Sequence, residues 1–192
     1  MTSSKDITRI KRSIRSERQL IDKNGEVKKL PKGRRTTTNC YAYILGAMEP
    51  QKDITWYIPG FTTGELYEKH NKEDFLNKMK SDFQNLGFSY REVIDFTSLE
   101  KGEYLIRVYF QEDPTKEPGF HFIRKSRKHG VWFHKEGWER EPDLVKVEVE
   151  NYGKKKKQYT YTTSRFSPNA FQDGKDGPLW KAIALFAIKY NG

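Results

Sequence analysis

The sequence predicts an α+β fold in which helices come first and an antiparallel sheet follows. Three observations carry this. Apolar residues recur at helical spacing before residue 87, and they change to short strand-like runs separated by turns after it. The chain, at 192 residues, suits one domain of ordinary size plus an appendage, long enough to bury a core without cross-links. Its hydrophobic fraction is 35% and its aromatic fraction 14%, so that core must rely on Phe, Tyr and Trp, each of which buries a large area.

Taken in chain order, Ile7, Ile10, Ile14 and Ile21 recur at spacings of three, four and seven behind a Ser3/Asp6 capping box, which reads as a short basic amphipathic helix. Asn24-Gly25 between two apolar-containing arms signals a two-residue hairpin, and Pro31 and Gly33 end this section. Thr38 and Asn39 are N-cap candidates for a second helix, TTTNCYAYILGAM, which Pro50 stops. Cys40 then occupies its first turn. An irregular aromatic segment with a Pro59-Gly60 turn leads to a longer helix. Asn71 caps that helix, Phe75, Leu76, Met79, Phe83 and Leu86 form its apolar face, and Gly87 stops it.

Strands are expected at FSYREVI, at EYLIRVYF after the Lys101-Gly102 turn, at GFHFIRK, and at VWFHK after His129-Gly130. VKVEVENY and QYTYTTSRF form a further pair across the four lysines 154–157, which read as a solvated tip that protects a sheet edge. PLWKAIALFAIKY is expected to close the chain as a helix begun at Pro178.

Charge divides the chain in two. Residues 1–35 hold twelve Lys or Arg against four acids, a balance of +8, leaving +2 of the net +10 for the remainder. Residues 1–35 are therefore read as a basic arm and 36–192 as the main domain. An anionic partner or an assembly contact, if the chain has one, belongs to the arm. No apolar run approaches a membrane span, and the N-terminus lacks the apolar core of a signal peptide. The expectation is a soluble protein, cytoplasmic where it is made. A single cysteine, Cys40, excludes an intramolecular disulfide.

That cysteine is structural or reactive. Positive potential at a helix N-terminus favours a thiolate, and attack on a carbonyl then needs an imidazole partner whose ring is held by a third group. Of the four histidines, His70 lies in a polar stretch and His129 at a hairpin tip, so both are expected to be exposed and incidental. His121 and His134 lie in aromatic strands on either side of one hairpin, where neighbouring strands about 4.8 Å apart let two side chains on one face meet. The competing reading is a core thiol and two buried sheet histidines. A zinc site of Cys40, His121 and His134 is chemically permissible, but no close ligand pair anchors it and no cofactor is expected.

The order of these features resembles the NlpC-type papain-like cysteine peptidases: NCYAYILG at a helix start, KGEYLIRVYF, a histidine early in the next strand and a polar residue in the strand after. The resemblance covers roughly residues 36 to 140. Asn39, Tyr41, Phe122 and Ile123 depart from the residues usual beside that family's cysteine and histidine. It implies a papain-like core in which a Cys-bearing helix packs on an antiparallel sheet, with Cys40 as nucleophile, His121 as base and His134 as orienting residue.

Two function classes follow. The first is a cysteine hydrolase or acyltransferase acting on amide or ester bonds through a thioester, with the Cys40 backbone N–H and the Asn39 side chain or a nearby Tyr as oxyanion donors. The resemblance extends the substrates to cell-wall peptides, reached by lysis or from within a phage particle. The second is a non-enzymatic structural or binding protein of a larger assembly, such as a phage virion, with a degenerate site and a basic arm that docks on a partner or nucleic acid.

Overall fold

The computed structural model describes residues 2–30, 38–47, 57–94, 99–135, 142–144, 165–166 and 180–192. The proposed Lys154–Lys157 hairpin tip, the strand VKVEVENY and Pro50 fall outside the described residues. Among those described, no helix is long and apolar enough to cross a membrane.

Helix α1 runs Ser4–Ser13 behind the expected capping box: the Ser3 hydroxyl accepts from the Asp6 amide at 3.2 Å, and the Asp6 carboxylate accepts from the Ser3 amide at 3.1 Å. A single-turn helix α2, Glu17–Leu20, follows it. The expected Asn24-Gly25 hairpin is reduced to one bridge, Ile21↔Val27. Its loop is organised instead by Asp22, whose carboxylate accepts from the amides of Asn24 and Glu26.

This arm is built into the body. Ile10 is fully buried in the main core, and Leu20, Ile21 and Leu30 share a second cluster with Tyr43 and Phe133. The Tyr190 hydroxyl, near the chain's last residues, donates to the Lys11 carbonyl at 2.9 Å.

Helix α3, Cys40–Leu45, starts on Asn39, whose side-chain oxygen accepts from the Ala42 amide at 2.9 Å. It ends earlier than Pro50, at Gly46, whose φ of 75° is the left-handed conformation of a helix stop. A side chain there would also meet the Arg15 carbonyl at 2.7 Å, because the arm crosses this turn and Arg15 donates to the Gly46 carbonyl. Helix α4, Lys72–Leu86, is capped by Asn71 and stopped by Gly87 as its sequence implies. Phe75, Met79, Phe83 and Leu86 are fully buried, at spacings of four, four and three.

The sheet is antiparallel, with β1 (Phe88–Glu92), β2 (Tyr104–Phe110), β3 (Phe120–Lys125), β4 (Trp132–Lys135), β5 (Pro142–Leu144), β6 (Arg165–Phe166) and β7 (Trp180–Tyr190) in the spatial order β1-β7-β2-β3-β4-β5. Among the described residues, the strand β6 pairs with β7, beside its first residues, on the same edge that β1 takes further along. Tyr104, Ile106, Val108 and Phe110 of β2 and Phe122 of β3 face the helices, whereas Leu105 and Tyr109 belong to clusters on the reverse face.

One expected element is overturned. PLWKAIALFAIKY is not a closing helix: residues 180–190 form β7, hydrogen-bonded to β1, β2 and β6. Phe186 and Ile188 enter the main core while Leu185 and Ala187 pack on the other face. A strand buried on both faces is a continuous apolar run without alternation, which helical spacing fits equally well. The helix preference of its alanines amounts to tenths of a kcal/mol per residue, and ladders on both edges outweigh it.

Candidate functional site

Each of the three site residues predicted from sequence reaches its position through a local feature already described. Cys40 opens α3 because Asn39 caps it, His121 lies one residue into β3, and His134 lies in β4 across the hairpin that turns at Ser126–Gly130. His121 and His134 are both buried, and His121 Nε2 lies 2.8 Å from His134 Nδ1 with the rings at 83°. The expected pairing of the two histidines is therefore present. The β3–β4 ladder pairs Arg124↔Phe133 and Lys125↔Trp132, and the two imidazoles meet beyond its end.

The sulfur of Cys40 lies by the backbone amide of Phe122, the residue after His121, and it also feels the amides of Tyr41 and of Cys40 itself and the charge of Lys135. Alternation along β3 points Phe122 at the helices and His121 at the reverse face. Thiol and imidazole pair thus approach the same two residues of β3 from its two faces. Neither imidazole is among the groups that set the ionisation of the thiol.

Electrostatics reverses one expectation. Burial pushes the Cys40 thiol up to about 12, and the amides and Lys135 offset only part of that. A six-residue helix does not outweigh it, so the thiol is protonated at neutral pH. Burial also pushes His121 well below its ordinary 6.5, with the neighbouring His134 adding to the effect, so its imidazole is neutral. At neutral pH both groups are uncharged, a protonated thiol on one face of the sheet and a neutral imidazole on the other.

Asn39 is engaged in structure: its oxygen caps α3 and its amide donates to the Tyr57 carbonyl. Of the two N–H groups of its amide, one is thus occupied, which leaves one for the oxyanion role expected of it. Tyr67 is the tyrosine coupled to Cys40. Burial raises its phenol to about 12, with the cysteine's charge as the second cause. Its ring is held edge-on against Phe75, Phe110 and Phe120 at 4.9, 5.9 and 6.0 Å.

Sequence reasoning missed Asp82. It is fully buried on the otherwise apolar face of α4, where its carboxylate accepts from the Thr62 amide and hydroxyl, the Gly60 amide and the Tyr41 hydroxyl, at 2.6 to 3.1 Å. It thereby ties the segment leading to Tyr67 onto α3 and α4. Burial raises its pKa to about 6 against the pull of those hydrogen bonds. The signal was available, since an acid three residues after Met79 falls on the buried stripe.

His70 and His129 are half-buried, not exposed; His70 Nδ1 lies 3.2 Å from the Gln111 carbonyl, and the His129 ring packs over Gly25. Among the described residues, no three His, Cys, Asp or Glu side chains converge as metal ligands. No protein-family model, curated protein or solved structure matches the chain.

Proposed function

We propose that the protein is a cysteine hydrolase of amide or ester bonds, and the observation that carries this reading is the buried 2.8 Å contact between His121 Nε2 and His134 Nδ1, one residue along β3 from Phe122, whose amide lies by the Cys40 sulfur. His134 holds the His121 ring in orientation, the part a third group plays in a Cys-His-His arrangement. The resting state is protonated thiol plus neutral imidazole, so the nucleophile forms only as the reaction begins.

In the first step Cys40 Sγ bonds to the substrate carbonyl carbon while its proton passes to His121, and the carbonyl oxygen becomes an oxyanion. The backbone N–H of Cys40 and the Tyr67 hydroxyl are the donors for that oxygen. Collapse breaks the bond to the amine or alcohol, which leaves with the proton from His121. Water then attacks the thioester, giving its proton to His121, and the acid departs as the thiol is regenerated. This reading requires β3 to shift so that the His121 imidazole reaches the face of the sheet on which Cys40 lies.

The direct test is mass spectrometry of the protein after mixing with an activated ester or a cell-wall peptide. An acyl adduct on Cys40, absent from His121→Ala, supports the reading. Turnover that persists in folded Cys40→Ala sinks it. The second reading, a binding or structural protein, is favoured by a separate observation, the burial of Cys40, which pushes its thiol up to about 12. Its mark is the absence of any adduct with a folded protein.

A further inference from the structure

A cavity of about 1260 Å³ lies between the arm and the body, at the opposite end of α3 from Cys40, and Arg124 of β3 lines it. Arg124 is 2% exposed, because alternation along β3 aims it inward with Phe120 and Phe122. Its guanidinium stacks 3.4 Å above the centre of the Tyr104 ring, and Nη1 donates to the Ile44 carbonyl at 3.2 Å. Nε, also buried, has no hydrogen-bond partner. The Tyr43 hydroxyl, which feels the Arg124 charge, is likewise without one.

A buried guanidinium with an unmet N–H and, among the described residues, no carboxylate paired with it is costly, and an oxyanion offers both the charge and the acceptor. The cavity's other walls favour an anion. Arg15, Arg18, Lys23 and Lys28 come from the arm, and Arg127 and Lys128 from the β3–β4 turn. Its three acids are outnumbered by these cations, and each is hydrogen-bonded within the protein. Glu17 accepts from the Ser126 hydroxyl and the Arg127 amide, Asp22 from its own loop, and Glu103 holds Arg91 at 2.7 Å.

We infer that this cleft is a binding site for a phosphate-bearing small molecule, with the phosphate seated on Arg124 and the rim cations of the arm and the β3–β4 turn neutralising its further charge. Phosphate suits the site better than a single carboxylate because several cations converge on one buried guanidinium. The ligand does not need the cysteine chemistry.

The test is calorimetric titration of the full chain with inorganic pyrophosphate, with citrate as the carboxylate counterpart. Wild type should bind pyrophosphate more tightly than citrate, with affinity falling as salt is raised. Arg124→Gln should lose about tenfold or more in affinity, the scale of one charge-assisted contact. Should that variant fail to fold, Lys23→Ala/Lys128→Ala, confined to the rim, decides: it should bind several-fold more weakly with a shallower salt dependence. No binding by wild type, citrate bound in preference to pyrophosphate, or unchanged affinity in folded Arg124→Gln or in the rim variant would each overturn the proposal.

Discussion

His121 Nε2 and His134 Nδ1 lie 2.8 Å apart although they are thirteen residues apart in the chain, and both rings are buried in the sheet. A contact this short needs one ring to donate and the other to accept, and it holds the His121 ring in one orientation. If the protein is the hydrolase proposed above, replacing His121 by Ala should lower turnover about 10²- to 10⁴-fold, the usual range for a lost general base. His134→Asn should cost about ten- to a hundredfold, since its side chain can still hydrogen-bond to the ring. Rates measured beside melting curves check both, and equal losses in the two variants would contradict the division of roles.

The thiol should be slow with iodoacetamide at neutral pH. Its rate profile in the folded protein should rise only on the alkaline side, with a midpoint near about 12, and return to the ordinary 9.0 on unfolding. A folded midpoint at or below 9.0 would mean an ion pair. Because His121 must be neutral to accept the proton and burial holds its pKa well below 6.5, the acid limb of kcat/KM should also lie below pH 6.5.

Asp82 gives a stability test with a definite sign. Its folded pKa of about 6 lies above the ordinary 3.8, so between those values the folded protein keeps a proton that the unfolded chain has lost. Its contribution is fully present below pH 3.8 and declines as pH rises through 6, by roughly 3 kcal/mol in all. Asp82→Asn should be destabilised by about 1 to 3 kcal/mol, because an amide nitrogen would face donors now satisfied by an oxygen. Urea unfolding at several pH values should show the wild-type advantage larger near pH 4 than near pH 7.

The arm should prove inseparable from the body. Ile10→Ala removes a fully buried side chain from the main core and should cost about 2 to 5 kcal/mol. Deleting residues 2–30 removes Ile10, Leu20, Ile21 and Leu30 together and should leave no cooperative unfolding transition. A folded, cooperative remainder after that deletion would show that the arm is an appendage.

Proline in β7 distinguishes a central strand from a peripheral helix. Ala187 pairs with Arg91 on one side and Leu105 on the other, so Ala187→Pro should cost about 3 kcal/mol or more and distort both ladders. Denaturant unfolding of this variant beside Ser89→Pro, on the shorter neighbouring strand β1, gives the comparison.

Local chemistry was legible in the sequence. Ser3 with Asp6, Asn39, Asn71 and Gly87 start or stop helices where their side chains or their freedom of φ imply, because a cap is satisfied within three or four residues. Strands β1 to β4 also follow their apolar runs, and Cys40, His121 and His134 were visible as the residues able to carry chemistry.

Tertiary structure decided what depends on distant partners. Residues 180–190 became β7 because strands on both edges satisfy its backbone and both its faces are covered, neither of which a local window records. The two histidines could be placed on one hairpin by sequence, but only strand register made them meet. The charge state of Cys40 was misjudged for the same reason: the cap is local, whereas the burial that pushes the thiol up to about 12 is assembled by α3 and β3 together. Arg124 is the last case. Its inward direction follows from alternation, but the cavity that Arg124 lines exists only once the arm has folded across the sheet.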